Sequence, residues 1–246
     1  MDITTLAGIL IAAGMLVFGV VSGELSSALF NTHAFFVVFG GTITAMLINT
    51  PLPYLSRAVF GLGMLFRGES FADPARVIPV MVELAEKCRT NGLSALKEAD
   101  QSLVGGFLNR AAMAALEYND YNFVKQVLEQ EINQSVEEMN ETVNVYRTMG
   151  VLMPMFGLLG TLIGIIAVLR ELANPENVGP AMAVAITSAF YGIFFANMVC
   201  VPIAGKMRAR IWMEVRVKSM IMEGVLEIMK GSIPIVVERR LQAYLG

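Results

Sequence analysis

The sequence predicts an all-α, polytopic membrane protein with four transmembrane helices and a helical cytoplasmic domain. The 246-residue chain is 55% hydrophobic but only 16% charged, and its mean hydropathy is +0.61. Soluble domains usually place about a quarter of their residues in charged side chains, so this chain is short of solvated surface. Four long stretches contain no charged residue, and each is long enough to supply the roughly 20 apolar residues that cross a hydrocarbon core.

The four charge-free stretches are the predicted transmembrane helices. Backbone polar groups at membrane depth find no water, so a spanning segment must be a helix that satisfies them internally. The alternative, a buried helix of a large soluble protein, suits one such stretch but not four in a chain of this length. The stretches are residues 3–23, 34–56, 148–169 and 177–205.

The distribution of Lys and Arg predicts the orientation. Residues 57–147 contain nine of these side chains and the tail from Lys206 contains eight, whereas the loop before the second span has none and the loop after the third has only Arg170. Cytoplasmic loops carry the excess of Lys and Arg. We therefore expect an inner-membrane protein with both termini in the cytoplasm. Its predicted segments are 1–56 (transmembrane helices 1 and 2), 57–147 (cytoplasmic helical domain), 148–205 (transmembrane helices 3 and 4) and 206–246 (cytoplasmic helical tail).

The cytoplasmic segment has helical periodicity. Apolar residues recur every three or four positions before the third span, which predicts a helix that continues into that span. Two shorter helices are predicted over 75–90 and 103–118, the first ending at Asn91-Gly92, and the tail helix is expected to break at Gly231 and Pro234. The apolar positions of the long helix are Val124, Leu128, Ile132, Val136, Met139 and Val143.

No pattern in the sequence indicates an enzyme. A nucleophile elbow, a phosphate-binding loop, a dinucleotide-binding turn and a zinc-spaced cluster are all missing from it. Cys88, Cys200 and His33 are isolated, so no cofactor, resident metal or disulfide is expected. A net charge of -3 gives no reason to expect a nucleic acid partner.

The third and fourth spans differ from the first two because they carry small and polar residues. Gly157, Gly160 and Gly164 predict a close helix contact, since small residues let membrane helices approach. Thr187, Ser188 and Tyr191 share one face of the fourth span. Each of these hydroxyls could bond back to a carbonyl of its own helix. We interpret the polar residues of the two spans, taken together, as a polar interface.

The spans contain no acid, Lys or Arg. An ion pathway usually needs an intramembrane acid. If the chain belongs to an ion-driven machine, that acid must come from a partner helix. The chain would then supply the wall of the pathway.

The third and fourth spans closely resemble the MotA/PomA family of flagellar stator subunits. The resemblance extends over 179–185, 191–197, Pro202 and Lys206, and on to the tail at 231–234 and 244–245. Within the family the chain looks most like the PomA branch. The most specific run is Pro154-Met155-Phe156-Gly157-Leu158-Leu159-Gly160-Thr161-Leu162-Ile163-Gly164.

The resemblance implies a complex of five such chains around a dimer of a MotB/PomB-type subunit. That partner brings one transmembrane helix with an Asp. Passage of Na⁺ or H⁺ past this Asp would rotate the ring against the flagellar rotor protein FliG. By position, Pro154 and Pro202 match two prolines that couple ion binding to motion in the family.

The resemblance also implies roles at the ion pathway and at the rotor face, with two departures. Thr161 matches a threonine of sodium-driven members, but a second threonine is replaced by Ala189 beside Ser188. Both ions therefore stay open, with sodium favoured. Arg89 matches a rotor-facing arginine, whereas the expected acid is replaced by Lys97 with Glu98 beside it. An ordinary solvated helix surface is the alternative for these three charged residues.

Other functions fit the sequence less well than the stator hypothesis. A relative of the ExbB/TolQ type, which would energise a different ion-driven process, has fewer spans and another layout. A self-sufficient channel or transporter should show intramembrane charge or inverted repeats. A scaffold would not need hydroxyls clustered on two spans.

Overall fold

The computed structural model describes residues 3–21, 30–66, 74–173 and 175–245. Every regular element in these residues is a helix, and no β-strand occurs among them. The all-α prediction is therefore confirmed. The chain divides into two compact units, which we call the span unit (the described residues of Met1–Gly68 and Glu141–Arg208) and the globular unit (those of Glu69–Asn140 and Ala209–Gly246).

Two long helices contribute to both units. They are α7 (Tyr121–Arg170) and α9 (Val201–Met229). The span unit also contains α1 (Ile3–Val21), α2 (Thr32–Phe35), α3 (Gly41–Asn49), α4 (Leu52–Phe66) and α8 (Pro175–Phe195). The globular unit also contains α5 (Pro74–Asn91), a 3₁₀ helix (Leu93–Glu98), α6 (Phe107–Tyr118) and α10 (Pro234–Gln242).

Two π-helical turns interrupt the helices of the span unit. The first, π1 (Phe36–Gly40), joins α2 to α3, and the second, π2 (Ala196–Cys200), joins α8 to α9. Pro202 follows π2 within two residues. A proline ring clashes with the carbonyl four residues before it in an α-helix, and a π turn relieves that crowding because it widens the helix locally.

Three described helical stretches are long and apolar enough to cross a membrane. They are Thr32–Asn49, a part of Tyr121–Arg170 and a part of Glu176–Met229. Leu10–Val21 is a shorter apolar helical stretch, so the first of the four predicted crossings stays a prediction.

The second span is shorter than its charge-free stretch predicts. Its helix ends at Asn49 because Thr50 is extended (φ −126°, ψ 128°) and Pro51 follows. A residue before proline is pushed away from helical backbone angles. A separate helix, α4, begins at Leu52.

The helices of the predicted cytoplasmic segment are mostly where the periodicity puts them. The expected 75–90 helix is α5, which ends at Asn91, and the long helix does continue into the third span as α7. The expected start at Leu103 was wrong. Three successive positive φ angles, at Val104, Gly105 and Gly106, form a turn, and α6 begins only at Phe107.

A conventional apolar core holds the globular unit together. Side chains from α5, α6, α7, α9 and α10 meet there, and the α7 residues buried in it recur at intervals of four, as the sequence predicted. Burying each large apolar side chain contributes about 1.5–3 kcal/mol. Its fully buried members include Met81, Leu96, Phe107, Leu108, Leu128, Met220, Ile221, Leu226 and Leu241.

Candidate functional site

In the span unit, α7 and α8 approach each other through glycines. A Cβ at Gly157 would lie 2.9 Å from the carbonyl oxygen of Ser188, and one at Gly164 would lie 2.6 Å from the Cβ of Ala185. A Cβ at Gly160 would overlap the Ser188 side chain. On the other helix, a Cβ at Gly192 would lie 2.6 Å from the Met153 carbonyl oxygen. Because none of these glycines has a side chain, the two backbones come closer than most helix pairs.

Ser188 of α8 lies inside this contact, and its neighbour Thr187 is buried as well. Thr187 is 2% exposed and Ser188 is fully buried. The Ser188 Oγ donates a hydrogen bond to the Val184 carbonyl oxygen (2.8 Å), which is the local bonding that serine and threonine often adopt in helices. Ser188 therefore fills the space that Gly160 leaves on α7. Ala189 lies beside it, with its Cα 3.4 Å from the Cβ position of Gly157.

Thr161 lies next to Gly160 on α7, but it is only half-buried. Its Oγ1 donates to the Leu158 carbonyl oxygen (2.6 Å), so its lone pairs stay available to accept a hydrogen bond or to contact a cation. Leu158 and Leu162, on either side of it, are 62% and 49% exposed. The arrangement is a half-buried hydroxyl between exposed leucines, with the buried Ser188 packed against the adjacent Gly160.

Pro154 belongs to this helix contact, Tyr191 reaches the start of α2, and Pro202 lies after π2. The Tyr191 hydroxyl oxygen accepts a long hydrogen bond from the Asn31 backbone N–H (3.4 Å), near the start of α2. Pro154 lies within α7 without ending it, and its Cα is 3.1 Å from the Cβ position of Gly192. Pro202 is exposed on α9, just after π2.

The helix contact has no charged group of its own. The charge-free stretches 148–169 and 177–205 contain neither acids nor bases. Across the described residues, no group of three or more His, Cys, Asp or Glu side chains could hold a metal ion. The oxygen atoms of these two stretches that could contact a cation are thus those of hydroxyls, of backbone carbonyls and of the side-chain amides of Asn177 and Asn197.

In the globular unit, Arg89 lies in the last turn of α5 and is exposed. It lines a cavity of about 330 Å³, whose wall also includes Cys88 and residues after α9. Burial raises the pKa of the Cys88 thiol, which therefore stays protonated near neutral pH. Within the described part of the chain, no ion-pair partner faces Arg89.

Glu98 pairs with a cation that the sequence alone does not indicate. Lys87 Nζ lies 3.4 Å from a Glu98 carboxylate oxygen and 3.0 Å from one of Glu83. Hydrogen bonds and charge from these two carboxylates raise the pKa of Lys87. Lys97 is exposed at the end of the 3₁₀ helix. Arg89 and Lys97 thus present positive charge, whereas the carboxylate of Glu98 is shared with Lys87.

Glu227 is another charged residue whose structural role cannot be predicted from the sequence periodicity. It is 3% exposed on α9 and accepts hydrogen bonds from Ser232 Oγ (2.6 Å) and Lys230 Nζ (2.9 Å). Arg240, on α10, lies 3.5 Å from the same carboxylate. Burial alone would raise the pKa of Glu227, but these hydrogen bonds and the positive charges outweigh burial and lower it. Glu227 therefore fixes the turn between α9 and α10, next to the Arg89 cavity.

A third network lies between α7 and α9. Lys218 is 7% exposed, and its Nζ lies 2.6 Å from Glu214 Oε1 and 2.8 Å from Ser135 Oγ. The ammonium is also 5.8 Å from the centre of the Phe107 ring. A buried charge needs such partners because desolvation is costly. An i,i+4 acid and base on a mostly apolar helix face was the sequence signal that could have found this pair.

Comparison with known proteins gives a consistent result over the whole chain. The model of the MotA/TolQ/ExbB proton channel family matches residues 99–220. Motility protein A of Aquifex aeolicus (strain VF5) is 33% identical, with 100% of this chain and 97% of that protein covered. Chemotaxis protein PomA of Vibrio alginolyticus is 30% identical, with 100% and 96% covered. These two identities are too similar to single out the PomA branch.

The folds of two solved structures match as well. The flagellar MotAB stator complex from Bacillus subtilis contains a chain that superimposes with a TM-score of 0.90 at 28% identity, covering 100% of this chain and 96% of that one. A chain of C. jejuni MotAB superimposes with a TM-score of 0.89 at 24% identity over the same shares, which supports the fold.

Proposed function

The chain belongs to the MotA/TolQ/ExbB proton channel family, and we propose that it is a flagellar stator subunit. With a MotB/PomB-type partner, it couples cation flow across the bacterial inner membrane to torque on the rotor. The observation that carries the proposal is the close-packed contact of α7 and α8, which carries hydroxyls but no charge. Such a surface can form the wall of an ion pathway while the charged group comes from another chain.

The proposed partner supplies the missing carboxylate. It contributes a single transmembrane helix with an Asp, and the exposed leucines that flank Thr161 give that helix an apolar surface to pack on. Five copies of the chain surround two copies of the partner. Both termini lie in the cytoplasm, and α1 is the first of four crossings.

Thr161 is the proposed contact for the transported ion. A sodium ion needs several oxygen ligands, and the half-buried Thr161 hydroxyl can provide one beside the partner's carboxylate. Protons need only the carboxylate, and Ala189 offers no second hydroxyl. Because Thr161 supplies an oxygen that proton transfer does not need, sodium is the favoured ion and H⁺ the alternative. Thr187, Ser188 and Tyr191 contribute to the wall from α8.

The proposed rotor face comprises Arg89 and Lys97. Both are exposed and positively charged, and the neighbouring acid, Glu98, is already shared with Lys87. The face therefore suits an acidic surface on FliG. Pro154 and Pro202, at the helix contact and after π2, would transmit a change in the ion pathway along α7 and α9.

The experiment is to express the chain with its MotB-type partner in a motile bacterium that lacks its own stators. Swimming should be restored, and it should decline when sodium is replaced by potassium. Swimming that is unaffected by sodium removal would establish H⁺ as the ion. No swimming with any stator-type partner, despite normal membrane levels, would contradict the stator function and favour an ExbB/TolQ-like role.

A further inference from the structure

The globular unit exposes a basic and aromatic face on α9 that points away from its own core. Ala209, Trp212, Met213 and Arg216 are exposed and lie on one side of the helix, at intervals of three and four residues. Trp212 is 64% exposed and Met213 41% exposed. Tryptophan and arginine are residue types enriched in protein interfaces. We call these four residues the α9 face.

A polar stripe runs along the exposed side of α7 in the same unit. Its residues are spaced alternately four and three positions apart, which is the spacing of residues that contact a neighbouring helix along its length. One carboxylate, that of Glu137, lies within a row of side-chain amides. We call this set the α7 stripe. It consists of Gln126, Gln130, Asn133, Glu137 and Asn140, all of them exposed.

The α9 face and the α7 stripe lie at matching positions along the axes of their helices, which we call heights. In the globular unit, Lys230 Nζ lies 4.5 Å above the Tyr121 ring, and Ser135 meets both Glu214 and Lys218. The helices are therefore antiparallel, and the turn centred on Arg216 is level with Ser135. Glu137 is two residues further along α7, about 3 Å, which places its height between those of Arg216 and Trp212.

The charges of the two surfaces are complementary. Arg216 and Glu137 each have no ion-pair partner within the part of the chain that the structure describes. Both side chains are exposed, each on the side of its helix that faces away from the shared core. In a ring whose axis runs along the helices, neighbouring copies stand at equal heights, so one copy's α9 face meets the next copy's α7 stripe without a shift.

We propose that the α9 face of one copy docks on the α7 stripe of a second copy, with Arg216 paired to Glu137 and Trp212 packed over the amides. The inference rests on the proposed ring of stator chains, and it assigns the residues that close that ring outside the membrane. Such a contact is heterologous, because it joins two different surfaces, and it therefore suits a ring rather than a twofold dimer.

A charge exchange tests the pairing. The full chain is co-expressed with its partner, extracted in a mild detergent, and its oligomers are weighed by native mass spectrometry. Arg216→Glu and Glu137→Lys should each reduce the oligomeric fraction several-fold, and the double variant should restore it. Arg239→Glu, an exposed change on α10, is the control and should have no effect. Single variants that leave the oligomers intact, or a double variant that does not restore them, would overturn the proposal.

Trp212 gives a second measurement, because it is the only tryptophan of the chain. In the oligomer the fluorescence emission of Trp212 should be blue-shifted, and its indole ring should be protected from quenching by iodide. In Arg216→Glu the emission should be red-shifted, and iodide should quench it. Fluorescence typical of exposed tryptophan in intact oligomers would contradict the contact. Quenching by brominated phospholipids would instead identify a lipid surface as the occupant.

The outcome for this contact is separable from that for the proposed function. Oligomers with a protected Trp212 that never restore swimming would support the contact and deny the stator role. Restored swimming with a charge exchange that changes nothing would deny the contact alone.

Discussion

Helix α7 packs in two different ways along its length, and the contrast explains the division of the molecule. In the span unit it meets α8 through Gly157, Gly160 and Gly164, which contribute no side chains. In the globular unit it buries Val124 and Leu128 among large apolar residues. In hydrocarbon, helices gain nothing by hiding apolar surface from water, so close backbone approach has to hold them. In water, burial of large side chains holds them instead.

The contrast extends to polar groups. The hydroxyls buried in the span unit include Ser188 and Thr42, which bond to carbonyls of their own helices. The globular unit instead buries charged groups, and Lys218 and Glu227 are satisfied by partners on other turns or helices. The former arrangement keeps a helix face uncharged beside the proposed ion pathway. The latter fixes helix register at particular positions.

The largest expected effect concerns the buried ion pair of the globular unit. Lys218→Met leaves Glu214 partly buried without its partner, which should reduce the free energy of unfolding by about 3–5 kcal/mol. Adding Glu214→Leu removes the orphaned charge, so the double variant should recover much of the loss. Chemical unfolding, followed by circular dichroism, measures both. A double variant that is as unstable as the sum of the two single variants would show that the two residues contribute independently, and it would contradict the ion-pair explanation.

The next effect tests the backbone contact of the span unit. Gly192→Ala places a methyl group 2.6 Å from the Met153 carbonyl oxygen, which no change of rotamer can relieve. Overpacking of this kind costs about 1–3 kcal/mol. Gly179→Ala is the matched control, because a methyl group there meets open space on the same helix. Thermal denaturation in detergent should separate the two variants, and equal stabilities would mean that α8 can move away from α7.

These two regions were not equally accessible from the sequence. The length of the apolar stretches and their lack of charged residues were enough to predict spanning helices. The four-residue spacing of apolar residues was enough to predict the α7 core positions. The helix break at Thr50 and the late start of α6 at Phe107 follow from local backbone angles that composition does not reveal. The pairing of Glu98 with Lys87 could not be found either, because it joins α5 to the 3₁₀ helix through tertiary packing.

The candidate site divides in the same way. A small-residue pattern indicated that Gly160 would let a helix approach, but periodicity does not tell which side chain fills the gap. The structure puts Ser188 there, with its hydroxyl bonded to a carbonyl of its own helix, whereas Thr161 is half-buried. Both π turns were unforeseen, since Gly40 and Pro202 are compatible with several helix distortions.

A smaller effect concerns Glu227 and depends on pH. Its pKa is lower in the folded protein than its ordinary value of 4.5, so its stabilising contribution is complete above that value and is lost as the pH falls through the folded-state pKa. Glu227→Gln should reduce stability by about 1–2 kcal/mol at neutral pH. The variant should also lose less stability than the wild type on acidification.

The measurement is a series of unfolding curves between neutral and acidic pH, with Glu117→Gln as the control. Glu117 is an exposed glutamate on α6. A control variant that behaves like the wild type would tie the acid sensitivity to Glu227. Parallel pH profiles for wild type and Glu227→Gln would assign the sensitivity to other carboxylates.

At the proposed rotor face the expected effect on stability is close to zero. Arg89→Glu changes an exposed residue without an ion-pair partner among the described residues, so folding and ion conduction should be unaffected while torque declines. Arg76→Glu, also exposed on α5, is the control. Tethered-cell rotation under load measures torque, and cytoplasmic acidification or sodium uptake measures conduction. If Arg89→Glu abolished membrane expression instead, the residue would support the cavity beside it.

The smallest structural effect with a functional consequence is expected at Thr161. Thr161→Ala removes a half-buried hydroxyl that donates to the Leu158 carbonyl of its own helix, so assembly with the partner should be unchanged. Sodium-dependent swimming should decline, because the ion loses an oxygen ligand beside the partner's carboxylate. Thr42→Ala is the matched control, since the Thr42 hydroxyl makes the same kind of local bond from a buried position on α3. Thr161→Ser should retain swimming, since it keeps the hydroxyl. Equal swimming by all three variants would reduce Thr161 to a packing residue.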